Sequence, residues 1–366
     1  ILNNKNVSLF SSFNSIKLCD VIIFALPTPL SDNKDPDMTY INSAIQLSQN
    51  YFKKNQLVIL ESTVYPGATG EFFLPLIEKK KFNVGKNFFL GYSPEREDPG
   101  NKKFNISNIV KLVSGHTSKC LKLTDKLYRS IGIKTYKVSN IQTAEMTKLY
   151  ENIFRSVNIG LVNEMKLISE KMNLDVYEII NAAKSKPFGF KAFYPGPGLG
   201  GHCIPIDPYL LTWKAKQYDI NTKFIELSAD INNSMPNYVV EKINEGLNIL
   251  GKNFSNSKIL ILGVAYKKNI NDIRESPALK IMEILKQKNS NFLYHDPFIP
   301  KLSFKYKSKL LTYKSIEISR KNLKKLDLVC LVTDHDNCDY NVIKDNSKVI
   351  VDCRGKFRKN KNVIKA

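Results

Sequence analysis

An α/β fold with a strand-and-helix region at each end and an all-helical middle is what this sequence predicts, and three observations predict it. Short β-branched or aromatic runs alternate with polar, helix-capable segments in the first third and again in the last third of the chain. Between them, apolar residues recur at helical spacing over about thirty positions. The 366 residues, 43% hydrophobic and 24% charged, suffice for two or three domains, each with its own core.

In the first region, residues 21–26, 57–61, 88–92 and 109–114 read as strands bounded by turn residues, with helical material between the first two. That alternation predicts a parallel sheet, so residues 1–138 read as a Rossmann-like, dinucleotide-binding domain. From Thr143 to Met172, the residues Met146, Leu149, Ile153, Val157, Leu161, Met165, Ile168 and Met172 keep helical period and predict one long helix. Lys148 and Asn152, four apart, project from the same face of it. Residues 175–183 predict a further helix, and 224–250 one or two more with Pro236 as a boundary or start. The alternation then restarts with a strand at 258–262 ending at Gly263, a helix at 278–288, and strands at 292–295, 328–332 and 349–351. Residues 139–250 thus read as a central helical domain, and 251–366 as a second Rossmann-like parallel-sheet domain.

The net charge of +21 raises the question of nucleic acid, but the lysines are dispersed and form no basic helix or aromatic-interleaved motif, so no nucleic-acid partner is expected. No apolar run reaches spanning length, and the opening Ile-Leu-Asn-Asn-Lys lacks a signal-peptide design, so no membrane partner and a cytoplasmic location are expected. The six cysteines are scattered with no Cys-x-x-Cys pair and no histidine cluster, which argues against a disulfide framework and a metal site.

The densest information lies at 194–209, Tyr-Pro-Gly-Pro-Gly-Leu-Gly-Gly-His-Cys-Ile-Pro-Ile-Asp-Pro-Tyr. Four glycines allow left-handed backbone and close approach to a ligand, and four prolines stiffen the loop around Cys203. A buried structural thiol needs neither the glycines nor the acid at Asp207, so Cys203 reads as a nucleophile.

This loop is similar to the active-site loop of the UDP-glucose/GDP-mannose dehydrogenase family, and further stretches match in the family's order. They are Val-Ile-Ile-Phe-Ala-Leu-Pro-Thr-Pro-Leu at 21–30, Glu-Ser-Thr-Val-Tyr-Pro-Gly at 61–67, Ser-Pro-Glu-Arg-Glu-Asp-Pro-Gly at 93–100 and Ala-Glu-Met-Thr-Lys-Leu-Tyr-Glu-Asn at 144–152. Gly-Val-Ala-Tyr-Lys-Lys at 263–268 and Asp-Ile-Arg-Glu-Ser-Pro at 272–277 complete the set, so the resemblance covers nearly the whole chain. It implies an NAD-dependent enzyme that oxidises the primary alcohol of a nucleotide sugar to a carboxylate, with the central domain as the dimer interface and the last domain for the UDP part of the substrate. The product acid requires a group that keeps the aldehyde carbon tetrahedral and re-oxidisable. The resemblance gives that task to Cys203, through a thiohemiacetal and then a thioester.

The resemblance further implies that Lys148, aided by Asn152, stabilises the oxyanions, that Asp207 holds or deprotonates the attacking water, that Thr63 positions water or substrate, and that Glu95 assists proton transfer. Pro27, Thr28, Thr63 and Arg274 are implied as cofactor contacts, and Glu95, Lys148, Asn152, Tyr194, Gly200 and Lys267 as substrate contacts. Each has a plainer alternative: a solvated helix lysine for Lys148, an ordinary Asp-Pro turn for Asp207, a cap for Thr63, an ion pair with Arg96 for Glu95, and a basic loop for Lys267 and Arg274. Some members of the family carry a second acid where this chain has Pro99, and its role does not transfer. No Gly-x-Gly-x-x-Gly turn precedes Val21, which suggests that the opening one or two βα units, about sixty residues, lie outside this chain. The competing class is therefore a shortened homologue that binds nucleotide sugar or dimerises without catalysis. Within the enzyme class, the loop at 193–208 and Glu-Asp-Pro-Gly-Asn at 97–101 resemble the bacterial branch acting on UDP-N-acetylglucosamine for surface polysaccharides, with UDP-glucose and UDP-N-acetylmannosamine as alternatives.

Overall fold

The computed structural model describes residues 6–98, 100, 101, 103–202, 204–358 and 360–366. The chain divides into two compact units, Ile1–Ile153 with Ile206–Thr222, and Phe154–Pro205 with Lys223–Ala366.

The first unit begins with β1 (Val21–Phe24), α1 (Thr39–Ser48), β2 (Leu57–Leu60) and α2 (Ala68–Lys79), and continues through β3 (Phe89–Tyr92), β4 (Lys111–Gly115), α3 (Ser118–Ser130) and β5 (Thr135–Lys137). The five strands form one sheet in the order β1-β2-β3-β4-β5. All four residues of β2 and of β3 are buried, as expected of inner strands covered on both faces. The pairing is parallel except between β3 and β4, where Gly91 faces Gly115 and Tyr92 faces Ser114 in antiparallel register. A parallel step needs a long crossover. No helix is assigned among the described residues between β3 and β4, and the chain turns back instead. Helix α3 is capped by the Thr117 hydroxyl, which accepts from the Cys120 amide, and it buries Cys120, Thr124 and Tyr128.

The middle of the chain is helical: α4 (Ile141–Lys171), α5 (Val176–Lys184), α6 (Asp207–Lys216) and α7 (Lys223–Ile249). The Asp175 carboxylate caps α5 by accepting from the Tyr177 amide at 2.8 Å. Pro236 neither starts nor ends a helix, because α7 runs through it. The proline ring withholds the N–H that the Asn232 carbonyl would accept, and that carbonyl faces Gly198 instead, where a Cβ would lie 3.2 Å away. The burial of α4 also departs from its apolar pattern. Glu145, Lys148, Asn152, Ser156, Asn163, Lys166 and Ser169 are buried alongside Leu149 and Ile153, whereas Met146, Phe154, Leu161, Met165 and Ile168, and Met172 just past its end, are exposed. Helical period identifies the element; it does not identify the face this chain covers.

The second unit adds β6 (Lys258–Leu262), α8 (Pro277–Gln287), β7 (Asn291–His295), β8 (Lys301–Tyr306), β9 (Lys309–Lys314), α9 (Arg320–Leu323), β10 (Leu328–Leu331), α10 (Tyr340–Asn346), β11 (Val349–Asp352) and β12 (Val363–Lys365). Five of these strands make a fully parallel sheet in the order β12-β11-β10-β6-β7, and β8 and β9 form a separate antiparallel hairpin. Alternate residues of β6 and β10 enter different cores, Ile259, Ile261, Leu328 and Cys330 on one face and Leu260, Leu262, Val329 and Leu331 on the other. Because β6 lies between β10 and β7, the connections after β6 and β10 flank a switch point at the carboxyl ends of the strands, where open α/β sheets bind ligands. The protein is thus built on two Rossmann-like sheets with helices between them in sequence. Among the described residues, no helix is long and apolar enough to cross a membrane.

Candidate active site

One turn of α4 and the first residue of α6 build a buried polar cluster in the first unit. Lys148 and Asn152, one helical turn apart, are 8% and 5% exposed, and Asp207 is 3% exposed. The Asn152 Nδ2 donates to Asp207 Oδ2 at 2.5 Å. Burial pushes the Asp207 carboxyl up to about 6, against the opposing pull of the Asn152 hydrogen bond and the Lys148 charge. A carboxylate poised there is mostly ionised at neutral pH and still basic enough to take a proton. Lys148 is buried and not a solvated helix lysine, and Asp207 opens a helix and not a plain turn.

Two neighbours were not among the residues singled out from sequence. Glu145, fully buried, accepts from the Gly67 amide at 2.6 Å, the Thr69 amide at 2.9 Å and the Thr69 hydroxyl at 2.6 Å, closing the amino end of α2. Burial pushes its carboxyl up to about 7 despite those donors. The signal for it was its position three residues before Lys148 and seven before Asn152, which puts a carboxylate on the same face. At the end of β3, the Tyr92 hydroxyl is buried without a hydrogen-bond partner among the described residues. Burial, with the charges of Glu145 and Asp207, holds it well above the usual phenol range. Nothing in the local sequence of Tyr92 marks it.

Thr63 and Thr28 meet at the carboxyl ends of β1 and β2. The Thr28 hydroxyl donates to the Thr63 carbonyl at 2.6 Å, and the Leu26 amide donates to the Ser62 hydroxyl at 2.9 Å. Pro27 lies exposed between these two ties. The two post-strand loops are therefore locked to each other at the carboxyl edge where Rossmann-like sheets hold dinucleotides, with Pro27 exposed there. Glu95 is placed otherwise. Its side chain pairs with Lys111 at 3.2 Å, and Lys111 also pairs with Glu61 at 3.2 Å. Burial alone would raise the Glu95 carboxyl, but the Lys111 charge and the Glu97 and Arg96 amides hold it below its usual value. The alternative ion pair with Arg96 does not form: Arg96 forks onto Glu151 at 2.6 and 3.2 Å and donates to the Val110 carbonyl at 2.7 Å.

In the second unit the glycine-rich turn packs on the loop that follows β6. A Cβ at Gly200 would lie 2.7 Å from Tyr266 Cβ and 2.9 Å from the Glu275 carbonyl, so only glycine allows this approach. The Gly201 amide donates to the Arg274 carbonyl at 2.9 Å. Tyr194 is 46% exposed, and its hydroxyl donates to Asn181 Oδ1 at 3.1 Å. Lys267 is half-buried in the loop after β6, and Arg274 is exposed and paired with Asp272 at 2.6 Å. Cys203 and Pro99 lie outside the described residues. Lys148, Asn152 and Asp207 thus come together as one cluster, Thr28 with Thr63 as another, and Gly200 with the loops bearing Lys267 and Arg274 as a third, while the bonds of Glu95 go elsewhere.

Comparison with known proteins bears on the chemistry. Residues 2–132 match the NAD binding domain of the UDP-glucose/GDP-mannose dehydrogenase family, 142–234 its central domain, and 260–359 its UDP binding domain. The chain is 36% identical over 295 residues to UDP-N-acetyl-D-glucosamine 6-dehydrogenase of Pseudomonas aeruginosa, covering 80% of this chain and 69% of that protein. It is 33% identical over 335 residues to UDP-N-acetyl-D-mannosamine dehydrogenase of Pyrococcus horikoshii, covering 92% and 76%. A solved structure of a UDP-D-ManNAc dehydrogenase from Pyrococcus horikoshii superposes with a TM-score of 0.85 at 32% identity, over 96% of this chain and 81% of that one. With the three domains in this order, the chain belongs to the UDP-glucose/GDP-mannose dehydrogenase family and is an NAD-dependent oxidoreductase.

Proposed function

We propose that the protein is a UDP-N-acetylglucosamine 6-dehydrogenase, oxidising the sugar's primary alcohol in two steps to the uronic acid through a thiohemiacetal and a thioester on Cys203. The observation that carries this reading is the buried cluster of Lys148, Asn152 and Asp207, which unites a cation, an amide donor and a carboxylate raised to about 6. Pro27, Thr28 and Thr63 would hold NAD, which would supply the hydride acceptor for each of the two oxidations, one NAD per hydride. The chain's own residues do the rest. The Lys148 ammonium offsets negative charge on the substrate oxygen as the carbon becomes tetrahedral, and Asn152 orients Asp207. Ionised Asp207 accepts a proton from water as that water attacks the thioester, releasing the Cys203 thiolate and the carboxylate product. Lys267 and Tyr194 contact the nucleotide sugar, and Arg274 the cofactor.

The domain division at 1–138, 139–250 and 251–366 belongs to the same reading, supported by the ranges matched to the family's three domains. So does a homodimer or higher homo-oligomer, supported by the exposed stripe Phe154, Leu161, Met165 and Ile168 on α4. The proposed role is in surface polysaccharide biosynthesis. UDP-N-acetylmannosamine is the second substrate reading, favoured by the similarity to the Pyrococcus horikoshii enzyme.

The test is turnover of UDP-N-acetylglucosamine, UDP-N-acetylmannosamine and UDP-glucose by the full-length protein, with NADH counted against sugar. Two NADH per sugar, a uronic acid product and the highest kcat/KM for UDP-N-acetylglucosamine are expected. One NADH per sugar with free aldehyde would overturn the mechanism, and a higher kcat/KM for either competitor would reassign the substrate.

A further inference from the structure

The turn after β6 occupies the place where a Rossmann-like domain ordinarily offers backbone amides to a phosphate. Here those amides are already bound. Asp296, at the carboxyl end of β7 and 2% exposed, accepts from the Val264 amide at 2.7 Å and the Ala265 amide at 3.0 Å through one oxygen. Its other oxygen accepts from the Phe298 and Ile299 amides at 2.9 and 3.2 Å. His335, fully buried in the loop after β10, completes the arrangement. Its Nδ1 accepts from the Asn269 amide at 3.0 Å, so the ring proton sits on Nε2 and is donated to Asp296 Oδ2 at 3.0 Å. The Thr333 hydroxyl donates to the Ala265 carbonyl at 2.7 Å. On the outside, Asp336 accepts from Lys268 at 3.1 Å and from the Asn269 side chain at 2.6 Å.

Four ties, at the Val264 and Ala265 amides, the Ala265 carbonyl and the Asn269 amide, therefore fix the backbone on both sides of Tyr266 and Lys267, and Tyr266 is the residue on which Gly200 and Gly201 pack. A buried histidine and carboxylate holding three amides of one loop exceed what packing alone needs, since apolar residues fill such space at lower desolvation cost. We infer that Asp296 and His335 are positioning residues for the nucleotide of the substrate: the Asp296 carboxylate stands in for a bound phosphate at the turn amides, so the diphosphate of UDP is read by side chains of the clamped loop and not by its backbone. A second consequence follows. With the Val264 and Ala265 amides occupied, the backbone of this turn does not offer them to the pyrophosphate of a dinucleotide. The Asp296 carboxyl, although buried, is held below its usual value by the His335 hydrogen bond and the turn amides, as a resident anion should be.

The inference rests on the family reading of the last domain as the UDP site, and the experiment separates the two. UDP binding is measured by titration calorimetry for the wild-type protein, His335→Ala and His335→Gln, with NAD binding and the KM and kcat for UDP-N-acetylglucosamine alongside. Loss of the clamp's central ring is expected to weaken UDP about tenfold, the size of one hydrogen bond to a charged group, and to raise KM for the sugar nucleotide. NAD affinity stays unchanged, and His335→Gln, which keeps a donor and an acceptor, recovers most of the loss. A folded His335→Ala protein with UDP affinity within twofold of wild type overturns the inference alone. A wild-type protein that does not bind UDP overturns the reading beneath it as well. If His335→Ala does not fold, the exposed Asp336→Ala carries the test: about threefold weaker UDP is expected, and unchanged affinity overturns the inference.

Discussion

Replacing Asn152 by alanine isolates the electrostatics of the buried cluster. The Asn152 amide donates to the Asp207 carboxylate at 2.5 Å, which favours the ionised form, while burial raises the carboxyl to about 6. A hydrogen bond to a charged group contributes about 1.5–3 kcal/mol. At about 1.4 kcal/mol per pKa unit, its removal should lift Asp207 by roughly one to two units, to about 7–8. The sign follows from the chemistry: the base must be ionised, so a higher pKa moves the acid limb of the rate profile toward higher pH. The assay is kcat for sugar oxidation from pH 5 to 9. The wild-type limb is expected near pH 6 and the Asn152→Ala limb about one unit or more higher, on top of a lower plateau from the lost oxyanion contact. An unshifted limb with a lowered plateau would refute the role assigned to the Asn152–Asp207 bond.

Lys148→Ala should reduce turnover by about a hundredfold or more, because a buried cation facing developing negative charge is removed, and near-normal turnover would return it to a structural role. Lys166 gives a test free of catalysis. The residue is 3% exposed, and its ammonium has no hydrogen-bond partner among the described residues, lies 5.1 Å from the Tyr238 ring centre, and is lowered by burial to about 8. A folded pKa below the unfolded one means the folded state loses stability as pH falls from about 10.5 through 8. Lys166→Met should therefore stabilise the protein in urea unfolding by about 3 kcal/mol at pH 7, and by much less at pH 10. An equal gain at both pH values would contradict the cause given.

Much of this was legible in the sequence, and the failures have physical reasons. The strands at 57–60 and 258–262 were readable because inner parallel strands are continuously apolar. Alternation of elements carries no strand direction, so the antiparallel step between β3 and β4 could not be read. The β8–β9 hairpin was missed because its turn uses Lys307 and Ser308 at φ 45 and 64 and offers no Asn-Gly or Asp-Gly signal. Lys148, Asn152 and Asp207 were found by motif, whereas Glu145 was visible only as a carboxylate on the buried face of α4. Asp296 and His335 escaped notice because they are distant in sequence and meet only once β7 and β10 deliver their loops to one end of the sheet.

The central claim, covalent oxidation through Cys203, is tested most directly by Cys203→Ser incubated with NAD and UDP-N-acetylglucosamine and followed by intact-mass spectrometry with product analysis. The first hydride transfer needs no thiol, but a serine hydroxyl is a poor nucleophile at neutral pH and its ester is less reactive than a thioester. The account predicts arrest after the aldehyde, or a covalent ester on the introduced serine seen as added sugar-nucleotide mass. Formation of uronic acid by Cys203→Ser at the wild-type rate would contradict it.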